Sequence, residues 1–154
     1  METTDRTGAR TRTDRHTIQK VAMMFGGVFL VVGVLGFIPG ITTNYDRLSE
    51  FDGEGALLLG AFGINLLENG AHLAFGIAGL LAARTYAASR AYFLVGGAVY
   101  IALWIYGLVI DINTTANVLG INEAANWLHF AIGAVMIGIG ALLSDDRDRE
   151  RARR

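Results

Sequence analysis

Residues 63–76 read GINLLENGAHLAFG, a run of apolar and small residues broken by Asn65, Glu68, Asn69 and His72. Shifted by 57 positions, the stretch lies over residues 120–133, GINEAANWLHFAIG. Identity falls at Gly63/Gly120, Ile64/Ile121, Asn65/Asn122, Asn69/Asn126, His72/His129, Ala74/Ala131 and Gly76/Gly133. An unpaired polar side chain is costly in an apolar segment, so Asn and His recurring in the same register point to an internal duplication. On a helix turning about 100° per residue, positions i, i+4, i+7 and i+11 stay within about a 60° sector. Asn65, Asn69, His72 and Gly76 therefore share one stripe, and Asn122, Asn126, His129 and Gly133 share its copy. The expectation is that the two stripes face each other or a shared cavity, with Asn69 and His72 across the interior from Asn126 and His129.

Around these stripes the chain is hydrophobic in blocks. Of its 154 residues 53% are hydrophobic, and the mean hydropathy is +0.42. Apolar segments run over Val21–Ile38, Ala56–Ala83, Ala91–Ile110 and Ala124–Leu143. Each is near or above the roughly 18 residues that cross a hydrocarbon core of about 30 Å. The second is too long for one straight span, since 28 residues would rise about 42 Å. If Gly63 and Gly120 mark equal depths, that helix starts near Ile64 and ALLLGAF, residues 56–62, protrudes or lies at the outer surface. The expected fold class is all-α, a four-transmembrane-helix bundle of two duplicated helical hairpins. Its helices are placed at about 20–38, 64–83, 91–110 and 124–143, within a membrane domain over 20–143. A disordered basic tail is expected over 1–19 and a charged tail over 144–154.

Charge orients the bundle. Arg6, Arg10, Arg12, Arg15 and Lys20 precede the first segment, Arg84 and Arg90 join the second to the third, and five arginines follow the fourth, leaving Arg47 alone on the other side. The excess of basic residues marks the cytoplasmic face, which puts both termini inside. The outer loops instead carry Asp46, Glu50, Asp52, Glu54, Asp111 and Glu123. The first segment lacks a small-x-small cleavage site before Pro39 and is longer than a signal core, so it reads as a retained span.

Several function classes lose support. The chain has no cysteine, hence no disulfide framework, thiolate metal site or cysteine nucleophile. Its three serines lie outside any Gly-x-Ser-x-Gly context, and no Walker or dinucleotide fingerprint is present. Neither His-x-x-x-His nor a carboxylate cluster suggests a metal, and no catalytic residue or cofactor is expected. The basic residues occupy tails and a short loop without interleaved aromatics, which argues against nucleic acid.

GFIPG at 36–40, NGAHLAFGIAGL at 69–80 and NWLHFAIG at 126–133 resemble the bacterial and archaeal four-helix membrane proteins grouped as domain-of-unknown-function family 4383. The resemblance covers roughly residues 18–143. It implies an integral four-helix protein of a prokaryotic cytoplasmic membrane, in a family without an established activity. Where that pattern usually has an acid before the fourth-helix Asn, this chain has Ala125. A more distant likeness to DoxX-type membrane proteins rests on architecture alone.

Three readings of Asn65, Glu68, Asn69, His72, Asn122, Asn126 and His129 stay open. In the first they form hydrogen bonds that fix the register of helices 2 and 4 in a structural or accessory membrane component. In the second they line a site for a small ligand, a proton or a quinone headgroup. In the third the two histidines hold a haem. An enzyme acting alone is not expected. Lipid is the expected partner, and glycines such as Gly33, Gly36 and Gly40 or Gly133, Gly138 and Gly140 leave room for a second copy or another membrane protein.

Overall fold

A computed structural model describes residues 17–50 and 55–143. It contains four helices: α1 Thr17–Leu35, α2 Leu66–Ala82, α3 Tyr86–Val109 and α4 Glu123–Leu142. A three-stranded antiparallel sheet, β1 Thr42–Thr43, β2 Ala56–Leu58 and β3 Phe62–Ile64, is built entirely within the α1–α2 connection. Most of the expected tails falls outside the described residues, but Thr17, Ile18 and Gln19 open α1 rather than ending a disordered segment.

α1 stops three residues before its expected end because GFIPG turns back on itself. Pro39 disfavours helix in the residue before it, and Gly40 has φ of +91°. The buried Thr42 hydroxyl donates to the Gly36 carbonyl at 3.1 Å, covering a helix-end acceptor. β2 and β3 pair Ala56 with Ile64 and Leu58 with Phe62. Between them Leu59 and Gly60 both adopt positive φ, as a tight hairpin turn requires. ALLLGAF, expected to protrude or lie at the outer surface ahead of the helix, forms most of a β-hairpin, with Leu48, Ala56, Leu58 and Ile64 forming a small core against Val32 and Leu35. α2 accordingly starts at Leu66, just after β3, and its 17 residues rise only about 26 Å, a few ångströms short of a hydrocarbon core. α3 begins five residues before its expected start because the Thr85 hydroxyl caps it, accepting from Ala88 N–H at 3.2 Å.

The helices pair closely where glycine permits. A Cβ on Gly26 of α1 would lie 2.8 Å from the Gly76 carbonyl oxygen of α2, and one on Gly97 of α3 would lie 2.9 Å from the Gly133 carbonyl oxygen of α4. The correspondence continues along both hairpins. Leu30 seats on Gly76 as Ile101 seats on Gly133, and the Asn69 amide backs Gly36 as the Asn126 amide backs Gly107. At the opposite end Gln19 Nε2 donates to the Ala83 carbonyl at 3.1 Å, and Arg90 Nε donates to the Gly140 carbonyl at 3.1 Å. All of these contacts map α1 onto α3 in the single register that sets Gly26 on Gly97, and the α2 side onto α4 in the register that sets Gly76 on Gly133.

The two hairpins meet over aromatic rings. Phe29 stacks on Tyr100 with centroids 5.7 Å apart, Phe75 meets Tyr100 edge-on at 5.3 Å, and Phe25 meets Phe93 edge-on at 5.2 Å. Large apolar side chains also face outward, among them Met24, Val28 and Val31 on α1 and Val95, Ile105 and Leu108 on α3. α1, α3 and α4 are long and apolar enough to cross a membrane, and α2 is a shorter apolar helix. Helices of this length, apolar toward the core and toward the outside alike, point to a membrane-embedded protein.

Candidate functional site

The polar residues of the two stripes divide into three groups. Asn65 and Asn122 are N-caps. Asn65 Oδ1 accepts from Glu68 N–H at 3.1 Å and Asn122 Oδ1 from Ala125 N–H at 2.9 Å, each satisfying a first-turn donor. Each also reaches the other hairpin. Asn65 Nδ2 donates to the Val118 carbonyl at 2.9 Å, while Asn122 Nδ2 donates to the Ala61 carbonyl at 2.8 Å and its Oδ1 accepts from Gly63 N–H at 3.0 Å. These crossed caps bring Gly63 and Gly120 together so closely that a Cβ on Gly63 would sit 2.4 Å from the Gly120 carbonyl oxygen.

Asn69 and Asn126 form the second group, and the structure does not set them opposite each other. Each packs within its own hairpin, where a Cβ on Gly36 or on Gly107 would lie 2.3 Å from the amide oxygen. Both Asn69 amide atoms and Asn126 Oδ1 are buried without a hydrogen-bond partner among the described residues. Their register follows from the glycine that admits them, which a search for facing polar residues overlooks.

Glu68, His72 and His129 form the third group. Glu68 Oε1 lies 2.9 Å from His129 Nε2, and the two residues are 7% and 3% exposed. His72 Nδ1 donates to the Glu68 backbone carbonyl at 2.9 Å. The imidazoles are linked through rings: His72 packs on Phe29 at 5.9 Å, Phe29 on Tyr100, and Tyr100 edge-on to His129 at 5.4 Å. The register that carries His72 onto His129 carries Glu68 onto Ala125, so one hairpin alone supplies an acid. Glu68 Oε2 and His129 Nδ1 are buried and unpartnered among the described residues. All three side chains border a cavity of about 140 Å³ whose remaining wall is apolar, including Val32 of α1, Leu58 and Phe62 of the sheet, and Ala125, Leu128 and Ile132 of α4.

Asn117 belongs to this end of the molecule and is not singled out by the repeat. Fully buried, it accepts from Ile121 N–H at 3.1 Å and donates to the Ile112 and Ile121 carbonyls at 2.9 Å each, shaping the α3–α4 connection. Tyr106 ties the same loop through its hydroxyl to the Ala116 carbonyl and Val118 N–H. The turn-forming run NTTAN at 113–117 is the signal that could have marked Asn117.

Among the described residues no group of three His, Cys, Asp or Glu side chains is arranged to hold a metal ion. A haem does not fit the histidines either. His129 Nε2 faces Glu68, His72 Nδ1 is held by a carbonyl, and a cavity of about 140 Å³ is the size of a site for one benzene ring.

A family model matches residues 19–142, the whole bundle and little else. The chain belongs to the family described as a domain of unknown function, DUF4383. No curated protein and no solved structure matches it. Membership in DUF4383 brings no activity with it, so function must be argued from the Glu68–His129 geometry.

Proposed function

We propose that the protein is an integral, multi-pass component of a prokaryotic cytoplasmic membrane, with both termini cytoplasmic, that binds a small polar group at Glu68 and His129. The reading rests on one observation: a buried acid–imidazole pair with an unpartnered carboxylate oxygen borders, together with His72, a cavity that is otherwise apolar. A contact serving packing alone would be expected to close over its polar atoms, since each buried unsatisfied group costs about 1–3 kcal/mol. Intramembrane ionisable residues are rare and mark ligand or proton pathways disproportionately often. The contacts matched between the hairpins, each helix pair in one constant register, support descent from a duplicated unit related by an axis along the membrane normal.

A hydrophobic carbodiimide, which dissolves in the bilayer and couples to carboxyl groups, tests the reading. Labelling should appear by mass spectrometry on the peptide carrying Glu68, vanish in Glu68→Gln, and fall when Ala125→Leu fills the cavity. An unreactive Glu68 would leave the pair as a sealed packing contact, which is the structural or accessory reading. That second reading has its own support in the crossed Asn65 and Asn122 caps, which join the hairpins without any free polar atom in a cavity.

Orientation is tested separately, and the absence of native cysteine keeps the experiment clean. In intact cells Thr115→Cys should react with an impermeant thiol reagent and Ala87→Cys should not. Both positions are exposed, whereas Ser89, in the same first turn of α3 as Ala87, is buried, its hydroxyl donating to the Ala82 and Thr85 carbonyls, and would report burial instead of sidedness. Reaction at Ala87→Cys alone would invert the orientation.

A further inference from the structure

We infer that the cavity beneath the sheet is a site for a single hydroxylated aromatic ring, a monocyclic phenol that arrives dissolved in the membrane. The inference rests on the ligand-binding reading above and names the chemistry that the site would select. Size comes first. A cavity of about 140 Å³ is close to the roughly 150 Å³ known to hold benzene, so one six-membered ring fills it. Its walls suit a ring face, being apolar except for Glu68, His72 and His129.

The polar end asks for a donor. Either protonation of the pair that preserves the 2.9 Å bond, carboxylate with imidazole N–H or carboxyl with bare nitrogen, leaves Glu68 Oε2 as an acceptor. His72 donates through Nδ1 to a backbone carbonyl, so the Nε2 of its neutral ring is an acceptor as well. A phenolic O–H meets this demand without importing charge. The route follows from the lining. Val32 of α1 and Leu128 of α4 border the cavity, and Leu128 is 40% exposed on a flank that lipid would cover.

Protein carrying ¹⁵N-histidine, in detergent micelles, gives the test. The chain has three histidines, so His16 serves as an internal reference while His72 and His129 report on the cavity. Phenol should move the ring signals of His72 and His129 saturably, and bind about tenfold or more tightly than benzene, the preference expected for a hydrogen bond to a charged or ion-paired acceptor. That preference should disappear in Glu68→Gln, whose carboxamide keeps the shape, and all binding should disappear in Ala125→Leu. 4-Heptylphenol should bind at least as well as phenol, its chain leaving between Val32 and Leu128. Equal binding of phenol and benzene would overturn the donor assignment, and phenol binding without heptylphenol binding would overturn the membrane route. Absence of any saturable shift, with Glu68 still labelled by carbodiimide, would overturn the phenol site but leave the ligand-binding reading standing. If Glu68 is also unreactive, both fall.

Discussion

His129→Ala should lower the stability of the folded bundle by about 3–5 kcal/mol, measured by reversible unfolding in mixed micelles, because it strips the partner from a carboxyl that remains 7% exposed. The loss comes from what stays behind more than from what is removed. Replacing both members by apolar side chains, as in Glu68→Leu with His129→Leu, should therefore recover most of the stability and give a strongly non-additive double-mutant cycle. Additive losses would mean that the 2.9 Å contact contributes nothing of its own. The twin histidine behaves differently. His72→Ala removes a bond to a backbone carbonyl and a ring contact with Phe29, a loss nearer about 1–2 kcal/mol, so two histidines at matching sequence positions should differ severalfold in cost.

Gly63→Ala is the second large effect, expected at about 3 kcal/mol or more by the same measurement. The added methyl would stand 2.4 Å from the Gly120 carbonyl oxygen and 2.7 Å from Asn122 N, so no rotamer change can relieve it. Relief requires the hairpins to separate at the end that carries the sheet. That movement would also stretch the bonds from Gly63 N–H to Asn122 and from Asn65 to the Val118 carbonyl. Gly27→Ala is the matched control: nothing lies within 4 Å of its added carbon, and stability should be unchanged or slightly higher. A neutral Gly63→Ala would show that the crossed caps do not hold the hairpins together.

Four helices could be read from the chain because a blocked apolar pattern, long enough to cross lipid, admits few other solutions. The sheet could not. ALLLGAF is a short apolar run with no decisive period, and such runs fit helix and strand alike. The role of Asn65 was hidden by its own regularity, since a residue four before Asn69 joins the polar stripe even when it stands at the helix boundary, capping α2 and bonding to the other hairpin. Glu68, three residues after Asn65, was the signature of a helix start. The matching contacts of α1 and α3 escaped for a different reason. Gly26 matches Gly97 across a wider sequence interval than the one between Gly76 and Gly133, so a comparison at a single offset aligns one pair of helices and scrambles the other. The Glu68–His129 contact itself breaks the symmetry, and no repeat-based argument predicts a bond whose counterpart would require an acid at Ala125.

The extra chain between α1 and α2, which accounts for the difference between those two intervals, gives the molecule a front and a back in the plane of the membrane. One flank, between α1 and α4, is roofed by the sheet and backed by a carboxyl; the opposite flank, between α2 and α3, is an apolar groove along Phe75, Ala78 and Val95. Two copies meeting front to front would pair once and close, whereas copies meeting front to back would present a fresh front at each addition and run on as a row. A lipid molecule diffusing past likewise encounters two unlike doors, only one of which has a polar group behind it.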